Sequence, residues 1–451
     1  KTTWEAGNLY VIDNNYGINI NAILTIEPGV IIKFKSDSYM QINNEGALVA
    51  EGTSSEPIIF TSYRDDSYDG DTNGDGDLTS PAAGDWGYIR NYKGVMRLDY
   101  CKFHYGGSLS NDSVLYLNEL TEIKNSTFAH NKGINSGTIS INSNSVTIEN
   151  NIFYSNSIPI MMHTPISLDD SNIFHNPDNS AERNKFDGIF VTTSYINQTI
   201  VWEETGTPFV ITKSYGIDIN ENYKLTLKKG VIIKFDDNNL DIDGNLEAKG
   251  TENSPIIFTS YKDDQHGGDS NGDGDSTSQA SGDWEYILVD DKGNAVFDYC
   301  RFYYGGGYSW DYVLRSEGTT NVTNSIFAYN DGADYGALNI VSGSTTSIQD
   351  NIFYENIKPI VMNISTSLDN SNIFHNPDDI SQKNKFEGIF VSGYDTANDV
   401  SWKETEIAYI LYEYNRTITE GTKRTRGNNV ILKFIDTRLE KYDNIENLHG
   451  T

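Results

Sequence analysis

The chain has 451 residues, with 64 acidic and 33 basic side chains, and a formal net charge of −31 at pH 7. This excess of acid argues against nucleic acid as the main partner, because phosphate binding needs a basic surface, and it disfavours docking on anionic membranes. The sequence has no apolar run near 18 residues, so we predict no membrane insertion. It opens at Lys1 without a charged-then-apolar leader, and we expect any signal peptide or anchor to lie outside it.

The sequence repeats itself at a spacing of about 200 residues. Residues 171–177 (SNIFHNP) return unchanged at 371–377, and three similar stretches open at Trp4, Trp202 and Trp402. We therefore predict two tandem copies and a truncated third, which is either a terminal cap or a point where the sequence has been cut. The predicted divisions are residues 1–200, 201–400 and 401–451.

A shorter period lies inside each copy, where phenylalanines return every 21–26 residues. They are Phe103, Phe128, Phe153 and Phe174 in the first copy, and Phe302, Phe327, Phe353 and Phe374 in the second. Short alternating apolar runs and Gly, Asn, Ser and Asp separate them, which predicts brief strands and turns. This pattern favours an all-β, parallel β-helix solenoid, with coils stacked about 4.8 Å apart. A β-sandwich array, the alternative fold, would prefer spacings of about 8–12 residues.

Asparagine precedes many of the Ile-Phe pairs of this period. Asn tolerates the left-handed conformation and bonds to neighbouring backbone, so it suits a recurrent turn. Stacked Asn side chains also satisfy each other's hydrogen-bonding groups. We interpret the Asn residues as turn chemistry rather than as a ligand site.

Five strings in the first copy carry a further signal: residues 24–30 (LTIEPGV), 46–48 (GAL), 52–53 (GT), 57–62 (PIIFTS) and 84–86 (GDW). They resemble the right-handed parallel β-helix repeats of secreted and surface-anchored bacterial proteins, which have the pectate-lyase-like superfamily fold. The resemblance covers both full copies and implies an extracellular location. It specifies no activity, because such coils serve in adhesins, carbohydrate-binding modules and polysaccharide-cleaving enzymes alike.

Two acidic strings give the clearest chemical signal: residues 71–77 (DTNGDGD) and 269–275 (DSNGDGD). Each matches the first half of an EF-hand-type loop, in which oxygen ligands stand at alternate positions and glycine allows the sharp turn. We predict two structural Ca²⁺ sites, within residues 65–85 and 263–283, that pin a long loop leaving the solenoid. The alternative is a solvated acidic turn without an ion. The predicted ligands are Asp71, Asn73, Asp75 and Asp77, and Asp269, Asn271, Asp273 and Asp275.

The closing ligand of this loop type is missing from both strings. A bidentate Glu normally stands at its last position, but Ala82 and Ala280 stand there. A further carboxylate must therefore come from elsewhere in each loop. The candidates are Asp85, Asp65 and Asp66 in the first loop, and Asp283, Asp263 and Asp264 in the second.

The two cysteines, Cys101 and Cys300, occupy equivalent positions in the two copies. About eight coils should separate them, which is roughly 38 Å along the solenoid. A disulfide needs Cα atoms within about 7 Å. We therefore predict two free, buried thiols.

Aromatic residues cluster in both copies soon after these cysteines. Alternate rings on a strand point outward, and flat exposed rings beside polar groups are suited to stacking on sugars. The alternative is internal stacking along the solenoid. The predicted carbohydrate-binding residues are Tyr105, Tyr304, Tyr308 and Trp310.

An enzymatic function is an alternative to binding. The resemblance implies a polysaccharide lyase or hydrolase, in which a basic residue or several carboxylates act in one groove. The acid pair Asp169-Asp170 returns as Asp369-Asn370, which breaks the pair, and we predict no catalytic residue. Near-identical tandem copies suit a spacer or a multivalent binder better.

We therefore predict an extracellular, calcium-binding, non-catalytic adhesin or carbohydrate-binding module of a bacterial cell. Its expected partner is a plant polysaccharide or a cell-surface glycan, and cellulose-binding β-helix adhesins provide a family-level analogy. A third possibility is a structural stalk or fibre subunit. We expect a monomer or an end-to-end assembly.

Overall fold

The structure, a computed structural model, describes residues 1–13, 17–108, 113–212, 216–307, 311–393, 395–396, 399–412, 417–418 and 423–435. All named elements in these ranges are β-strands of two to five residues. They form a parallel β-solenoid of about 16 turns. The predicted all-β parallel β-helix is thereby confirmed, whereas the division into tandem copies stays a prediction.

The first 24 strands are β1 (Thr2–Trp4), β2 (Leu9–Ile12), β3 (Ile18–Ile20), β4 (Ile23–Ile26), β5 (Ile31–Phe34), β6 (Met40–Ile42), β7 (Ala47–Glu51), β8 (Ile58–Ser62), β9 (Ile89–Asn91), β10 (Val95–Asp99), β11 (Cys101–His104), β12 (Leu115–Leu117), β13 (Thr121–Lys124), β14 (Thr127–Ala129), β15 (Ile139–Ile141), β16 (Val146–Glu149), β17 (Ile152–Tyr154), β18 (Ile160–Met162), β19 (His175–Asn176), β20 (Asn179–Arg183), β21 (Ile189–Val191), β22 (Tyr195–Ile196), β23 (Ile200–Trp202) and β24 (Phe209–Ile211).

The remaining strands are β25 (Ile217–Ile219), β26 (Lys224–Leu227), β27 (Ile232–Phe235), β28 (Leu240–Ile242), β29 (Asn245–Lys249), β30 (Ile256–Ser260), β31 (Ile287–Val289), β32 (Asn294–Asp298), β33 (Cys300–Tyr303), β34 (Tyr312–Ser316), β35 (Thr319–Thr323), β36 (Ile326–Ala328), β37 (Gly336–Ile340), β38 (Thr345–Gln349), β39 (Ile352–Tyr354), β40 (Ile360–Asn363), β41 (His375–Asn376), β42 (Asp379–Lys383), β43 (Gly388–Ser392), β44 (Asp395–Thr396), β45 (Val400–Trp402), β46 (Ala408–Tyr412), β47 (Thr417–Ile418), β48 (Arg424–Arg426) and β49 (Leu432–Ile435).

The chain divides into two compact units. Unit 1 comprises residues 1–193, 200–210 and 264–277, and unit 2 comprises residues 194–199, 211–263 and 278–451. The whole of the second acidic string, residues 269–275, therefore belongs to unit 1, although the sequence repeat assigns it to the second copy.

Three parallel sheets run through unit 1, and each strand pairs with the third strand after it. Their orders are β1-β4-β7-β10-β13-β16, β2-β5-β8-β11-β14-β17 and β3-β6-β9-β12-β15-β18-β21. The second sheet carries inward rings in register: Phe60, Phe103, Phe128 and Phe153 stack, followed by Phe174, with centroids 4.7 to 5.2 Å apart. The period of the phenylalanines is thus the period of the coils. A short antiparallel hairpin, β19–β20, leaves this pattern.

Unit 2 is built in the same way. Its longest sheet has the order β22-β25-β28-β31-β34-β37-β40-β43-β46-β49, and two further orders are β26-β29-β32-β35-β38 and β27-β30-β33-β36-β39. The phenylalanine stack again follows successive coils, from Phe258 to Phe374. The hairpin β41–β42 repeats the form of β19–β20.

Asparagines form hydrogen-bonded ladders, and the predicted one, before the Ile-Phe pairs, includes the bond from Asn151 Nδ2 to Asn172 Oδ1 at 3.2 Å. A second ladder lies at another turn. In unit 1 the Asn131 Nδ2 donates to Asn156 Oδ1 at 3.0 Å, and the Asn156 Nδ2 donates to Asn184 Oδ1 at 2.9 Å. Asn125 and Asn150, at a neighbouring turn, have φ of 46° and 58°. These residues therefore shape the turns between coils.

Cys101 and Cys300 are both buried and free. Burial raises the pKa of each thiol, so neither is an activated nucleophile. The prediction of two core thiols is confirmed. Among the residues that the structure describes, no helix is long and apolar enough to cross a membrane.

Candidate metal centre in the acidic loops

Loop 1, residues 65–85, leaves the solenoid between β8 and β9. It folds around one carboxylate: Asp71 Oδ1 accepts from the Gly74 N–H at 2.7 Å, and Asp71 Oδ2 accepts from the Gly76 N–H at 2.8 Å. Gly74 and Gly76 have φ of 73° and 66°, a conformation that favours glycine. The hydrogen bond from Gly76 is the main reason that the pKa of Asp71 is lowered. The backbone N–H groups of the string therefore stabilise the ionised form of Asp71.

Three carboxylates converge at this centre. Asp66, Asp71 and Asp75 each offer an oxygen, and the three oxygens lie within 4.8 Å of one another. Asp66 Oδ1 and Asp75 Oδ1 are buried and have no hydrogen-bond partner within the described part of the chain. Burial, and then the charge of Asp71, raises the pKa of Asp66. A hard cation would satisfy these oxygens and remove the repulsion, so the donor set fits Ca²⁺.

Loop 2, residues 263–283, repeats the arrangement, and its carboxylate group belongs to unit 1. Asp264, Asp269 and Asp273 each offer an oxygen within 4.8 Å of the others. Asp269 accepts from the N–H groups of Gly272 at 2.6 Å and Gly274 at 2.8 Å. Asp273 Oδ1 is buried and, among the described residues, has no hydrogen-bond partner. The two strings therefore fold into the same kind of centre.

Both asparagines of the strings lie beside the carboxylates and orient them. Asn73 Oδ1 accepts from the Asp75 N–H at 3.3 Å, and Asn73 Nδ2 donates to Asp75 Oδ2 at 3.0 Å. Asn271 Oδ1 accepts from the Asp273 N–H at 3.3 Å. Asp77 and Asp275, at the last position of each string, are exposed and lie outside the carboxylate groups.

The structure places the candidate closing carboxylates in different roles. Asp66 and Asp264 join the two groups. Asp85 instead accepts from the Ser62 hydroxyl at 2.7 Å and pairs with Arg64 at 3.1 Å.

The remaining closing candidates also fasten the loop ends. Asp283 accepts from the Ser260 hydroxyl at 2.8 Å and pairs with Lys262 at 2.8 Å. Asp65 and Asp263 accept from the hydroxyls of Thr61 and Thr259 at 2.5 and 2.6 Å. Asp65, Asp85, Asp263 and Asp283 thus lie outside the two carboxylate groups.

A lysine that none of the sequence motifs indicated lies beneath loop 1. Lys33 is fully buried on the outer side of β5, and its Nζ donates to Gly70 O at 2.9 Å and to Thr72 Oγ1 at 2.6 Å. Its signal in the sequence is a lysine inside the apolar string Ile-Ile-Lys-Phe. The equivalent Lys234 in unit 2 is also fully buried.

The predicted carbohydrate-binding rings are only partly described. Tyr105 and Tyr304 are half-buried, and each stacks on a ring of the next coil: His130 at 5.6 Å and Tyr329 at 5.8 Å. One face of each tyrosine is therefore occupied, as in the alternative of internal stacking. Tyr308 and Trp310 lie outside the described residues.

A second aromatic surface, which none of the sequence motifs indicated, lies on the outer face of the third sheet of unit 1. The Arg90 guanidinium stands 5.3 Å from the Tyr92 ring and 5.8 Å from the Tyr116 ring. Tyr88 stacks on Tyr39 at 4.9 Å. Arg90 Nε is buried and donates to no described residue. We call Tyr39, Tyr88, Arg90, Tyr92 and Tyr116 the aromatic–arginine surface.

The longest sheet of unit 2 carries two acidic residues at positions where the first copy has uncharged polar residues. Asp218 on β25 pairs in register with Asp241 on β28, so the two side chains are neighbours on one face of the sheet. Burial, and then the charge of Asp218, raises the pKa of Asp241 to about 7. Their sequence signal is a substitution, because Asn19 and Gln41 stand at these places in the first copy.

Residues 1–141 match the family model of the pectate-lyase-like beta helix domain. No curated protein matches the chain. The match and the parallel solenoid together support a pectate-lyase-like β-helix repeat protein, which confirms the resemblance drawn from the sequence.

Proposed function

We propose that this chain is a calcium-stabilised β-helix, with one structural Ca²⁺ in each acidic loop. The observation that carries the proposal is the pair of buried oxygens, Asp66 Oδ1 and Asp75 Oδ1, that lack a hydrogen-bond donor among the described residues and converge with Asp71. Carboxylate oxygens in a turn of glycines are the ligands that Ca²⁺ takes in loops of this type. The ion would tie Asp66, at the start of loop 1, to the DTNGDGD string.

The expected affinity agrees with an extracellular location. The bidentate Glu that closes high-affinity loops is absent, and Ala82 stands in its place. Sites with fewer charged ligands bind in the range of extracellular modules, with Kd of roughly 10⁻⁴ to 10⁻³ M. Calcium at such concentrations is found outside cells, and we propose that the protein acts there.

Calorimetry tests this role, both as a calcium titration and as a measurement of the melting temperature with calcium or chelator. We expect two equivalents of Ca²⁺ to bind and the melting temperature to rise with calcium and fall with chelator, because a ligand that binds only the folded state stabilises it. Magnesium at equal concentration is the control, since it demands a tighter octahedral site. An unchanged melting temperature together with no measurable calcium binding would refute the proposal.

We further propose that the solenoid binds polysaccharide, as an adhesin or a carbohydrate-binding module. The aromatic–arginine surface supports this, because flat rings stack on sugars and the guanidinium of Arg90, which is only partly buried as a residue, lies beside the Tyr92 ring. Tyr92 is 42 % exposed, so its ring is accessible from solvent. The arginine favours a sugar that bears a carboxylate.

Retention on insoluble polysaccharides tests the binding role. We expect the protein to sediment with pectate gel more than with cellulose, and Arg90→Ala to lower that retention. Arg97→Ala is the matched control, because Arg97 is an exposed arginine of unit 1 that pairs with Glu122 at 3.4 Å. Equal retention of the two variants would remove this surface from the proposal.

A hydrolase is the second candidate, and the Asp218–Asp241 pair favours it. Burial raises the pKa of both carboxyl groups, to about 7 for Asp241, so Asp241 can act as a general acid near neutral pH. The test is release of reducing ends from pectate, with Asp241→Asn as the matched variant. Release that Asp241→Asn abolishes would establish the enzyme, and no release by the parent chain would leave binding as the function.

A further inference from the structure

Lys33 occupies a place where a lysine is costly. Its side chain is fully buried, and an ammonium group loses hydration there unless it is paired. Burial lowers the pKa of Lys33, and the charges of Asp65, Asp66, Asp69 and Asp71 oppose that shift. Loop 1 itself therefore offsets part of the cost of burial.

The two acceptors of Lys33 flank the central carboxylate of the loop. Gly70 O and Thr72 Oγ1 belong to the residues on either side of Asp71, and both accept from Lys33 Nζ. Tyr63 adds a third tie, because its hydroxyl donates to Thr72 O at 3.0 Å. These bonds hold the backbone at Asp71 against the solenoid, and none of them needs a metal ion.

The charge of Lys33 acts in the same direction as its hydrogen bonds. Three carboxylates within 4.8 Å of one another repel when no cation is present. A buried positive charge nearby offsets part of that repulsion, and buried pairs are screened little by salt. A loop that keeps its form without the ion spends less binding free energy on ordering.

We propose that Lys33 is the positioning residue that holds loop 1 in its cation-binding form before calcium arrives. The inference rests on the proposed calcium role of the loop. Lys33 touches no ion in this scheme; it places Asp71 through Gly70 and Thr72. Calcium would then complete a loop that is already folded.

Hydrogen exchange of loop 1 in chelator and in calcium tests the proposal. Lys33→Met keeps the length and the apolar stem but removes the charge and the donors. We expect amides 70–77 to exchange at least about tenfold faster in Lys33→Met than in the parent chain when chelator is present, because their protection then depends on local opening. Saturating calcium should restore most of the protection.

Two further variants separate positioning from general damage. Thr72→Val removes one acceptor of Lys33 and should raise exchange in chelator, whereas Thr72→Ser, the residue found at Ser270, should not. Lys124→Met is the charge control, because Lys124 is a lysine of unit 1 whose side chain is partly accessible to solvent and pairs with Glu149 at 3.2 Å. Unchanged exchange in the Asn131–Asn184 ladder reports that the solenoid is folded.

The exchange experiment has three distinguishable outcomes. Equal exchange of loop 1 in Lys33→Met and the parent chain, in chelator, would overturn the role of Lys33. Faster exchange in Lys33→Met that calcium does not reverse would leave the lysine as the anchor of the loop and would count against the calcium role instead. Faster exchange with recovery in calcium supports both.

Discussion

Loop 1 and loop 2 have nearly the same string and the same hydrogen bonds from two glycine N–H groups to the first aspartate, but their surroundings differ. The N–H of Asp187 donates to Asp269 O at 2.8 Å, and the Ser270 hydroxyl donates to Asp187 O at 2.6 Å, so loop 2 is fastened to the segment before β21. A Cβ built on Gly272 would lie 2.5 Å from the Phe186 ring, whereas nothing lies within 4 Å of one built on Gly74.

The string and its surroundings contribute differently to each loop. Asp71 and Asp269 gather glycine N–H groups in the same way with and without a covering segment. The carboxylate geometry is therefore a property of the string. The setting decides how firmly the loop is held when the ion is absent, and we expect loop 2 to need calcium less.

Removing the central carboxylates should have the largest effect. Asp71→Asn and Asp269→Asn each replace an oxygen that accepts a glycine N–H, and each removes a charged ligand. We expect each single variant to lose one of two calcium equivalents, with affinity at that site weakened by about tenfold or more. Calorimetric titration measures the stoichiometry. Asp77→Asn is the control, because Asp77 is exposed and outside the group, and two retained sites in Asp71→Asn would contradict the assignment.

Alanine at the fourth position of each string should distinguish the two settings. Gly74 and Gly272 have φ of 73° and 68°, so alanine costs about 1–2 kcal/mol at either place. Gly272→Ala also meets Phe186, and overpacking adds roughly 1–3 kcal/mol. We expect a lower melting temperature for Gly272→Ala than for Gly74→Ala.

Shortening the ring that meets Gly272 is the control for this pair. Phe186→Leu should relieve Gly272→Ala and leave Gly74→Ala unchanged. If both alanine variants melted at the same temperature in calcium, loop 2 would be no more closely packed than loop 1.

Calcium withdrawal should then affect the loops unequally. Lys33 and Tyr63 hydrogen-bond to loop 1. In loop 2, two hydrogen bonds join the string to the segment at Asp187. We expect chelator to speed hydrogen exchange more in residues 71–77 than in 269–275, by several-fold. Ser270→Ala removes the hydroxyl that donates to Asp187 and should bring loop 2 closer to loop 1. A larger chelator effect in loop 2 of the parent chain would reverse the comparison.

Much of this molecule could be predicted from local pattern. The phenylalanine period defines the coil because each ring must stack on the ring of the next coil, and the spacing within DTNGDGD places Asp71 and Asp75 together because a glycine turn leaves few paths. The choice of Asp66 over Asp85 could not be predicted, since it depends on which hydroxyls and amides use up the oxygens of Asp85.

The other features that could not be predicted depend on contacts between residues far apart in the sequence. Lys33 reaches a loop 37 residues away, and nothing local to β5 indicates a partner. The carboxyl pair of unit 2 depends on the register of two strands, which sets Asp218 against Asp241. A string of residues carries no such register until the coils are stacked.

The smallest expected effect concerns the segment beneath loop 2, residues 200–210. Glu204 is fully buried there, and its Oε2 has no hydrogen-bond partner among the described residues. Burial, and then the charges of Asp170 and Asp169, raises the pKa of Glu204 to about 8. The folded chain therefore holds a proton that the unfolded chain releases near its ordinary pKa of about 4.5.

Stability should consequently fall as the pH rises from about 4.5 to about 8, because the folded state binds more protons than the unfolded state across that window. Glu204→Gln mimics the protonated form and should flatten this part of the stability curve, raising the melting temperature at pH 8 by a few degrees and leaving it nearly unchanged at pH 4.5. Glu203→Gln, at the exposed neighbour, is the control.

Because Pro208 of the same segment lies close to Gly267, loop 2 should gain protection from exchange in Glu204→Gln at pH 8 while loop 1 does not. An equal response of the two loops would mean that the segment does not support loop 2.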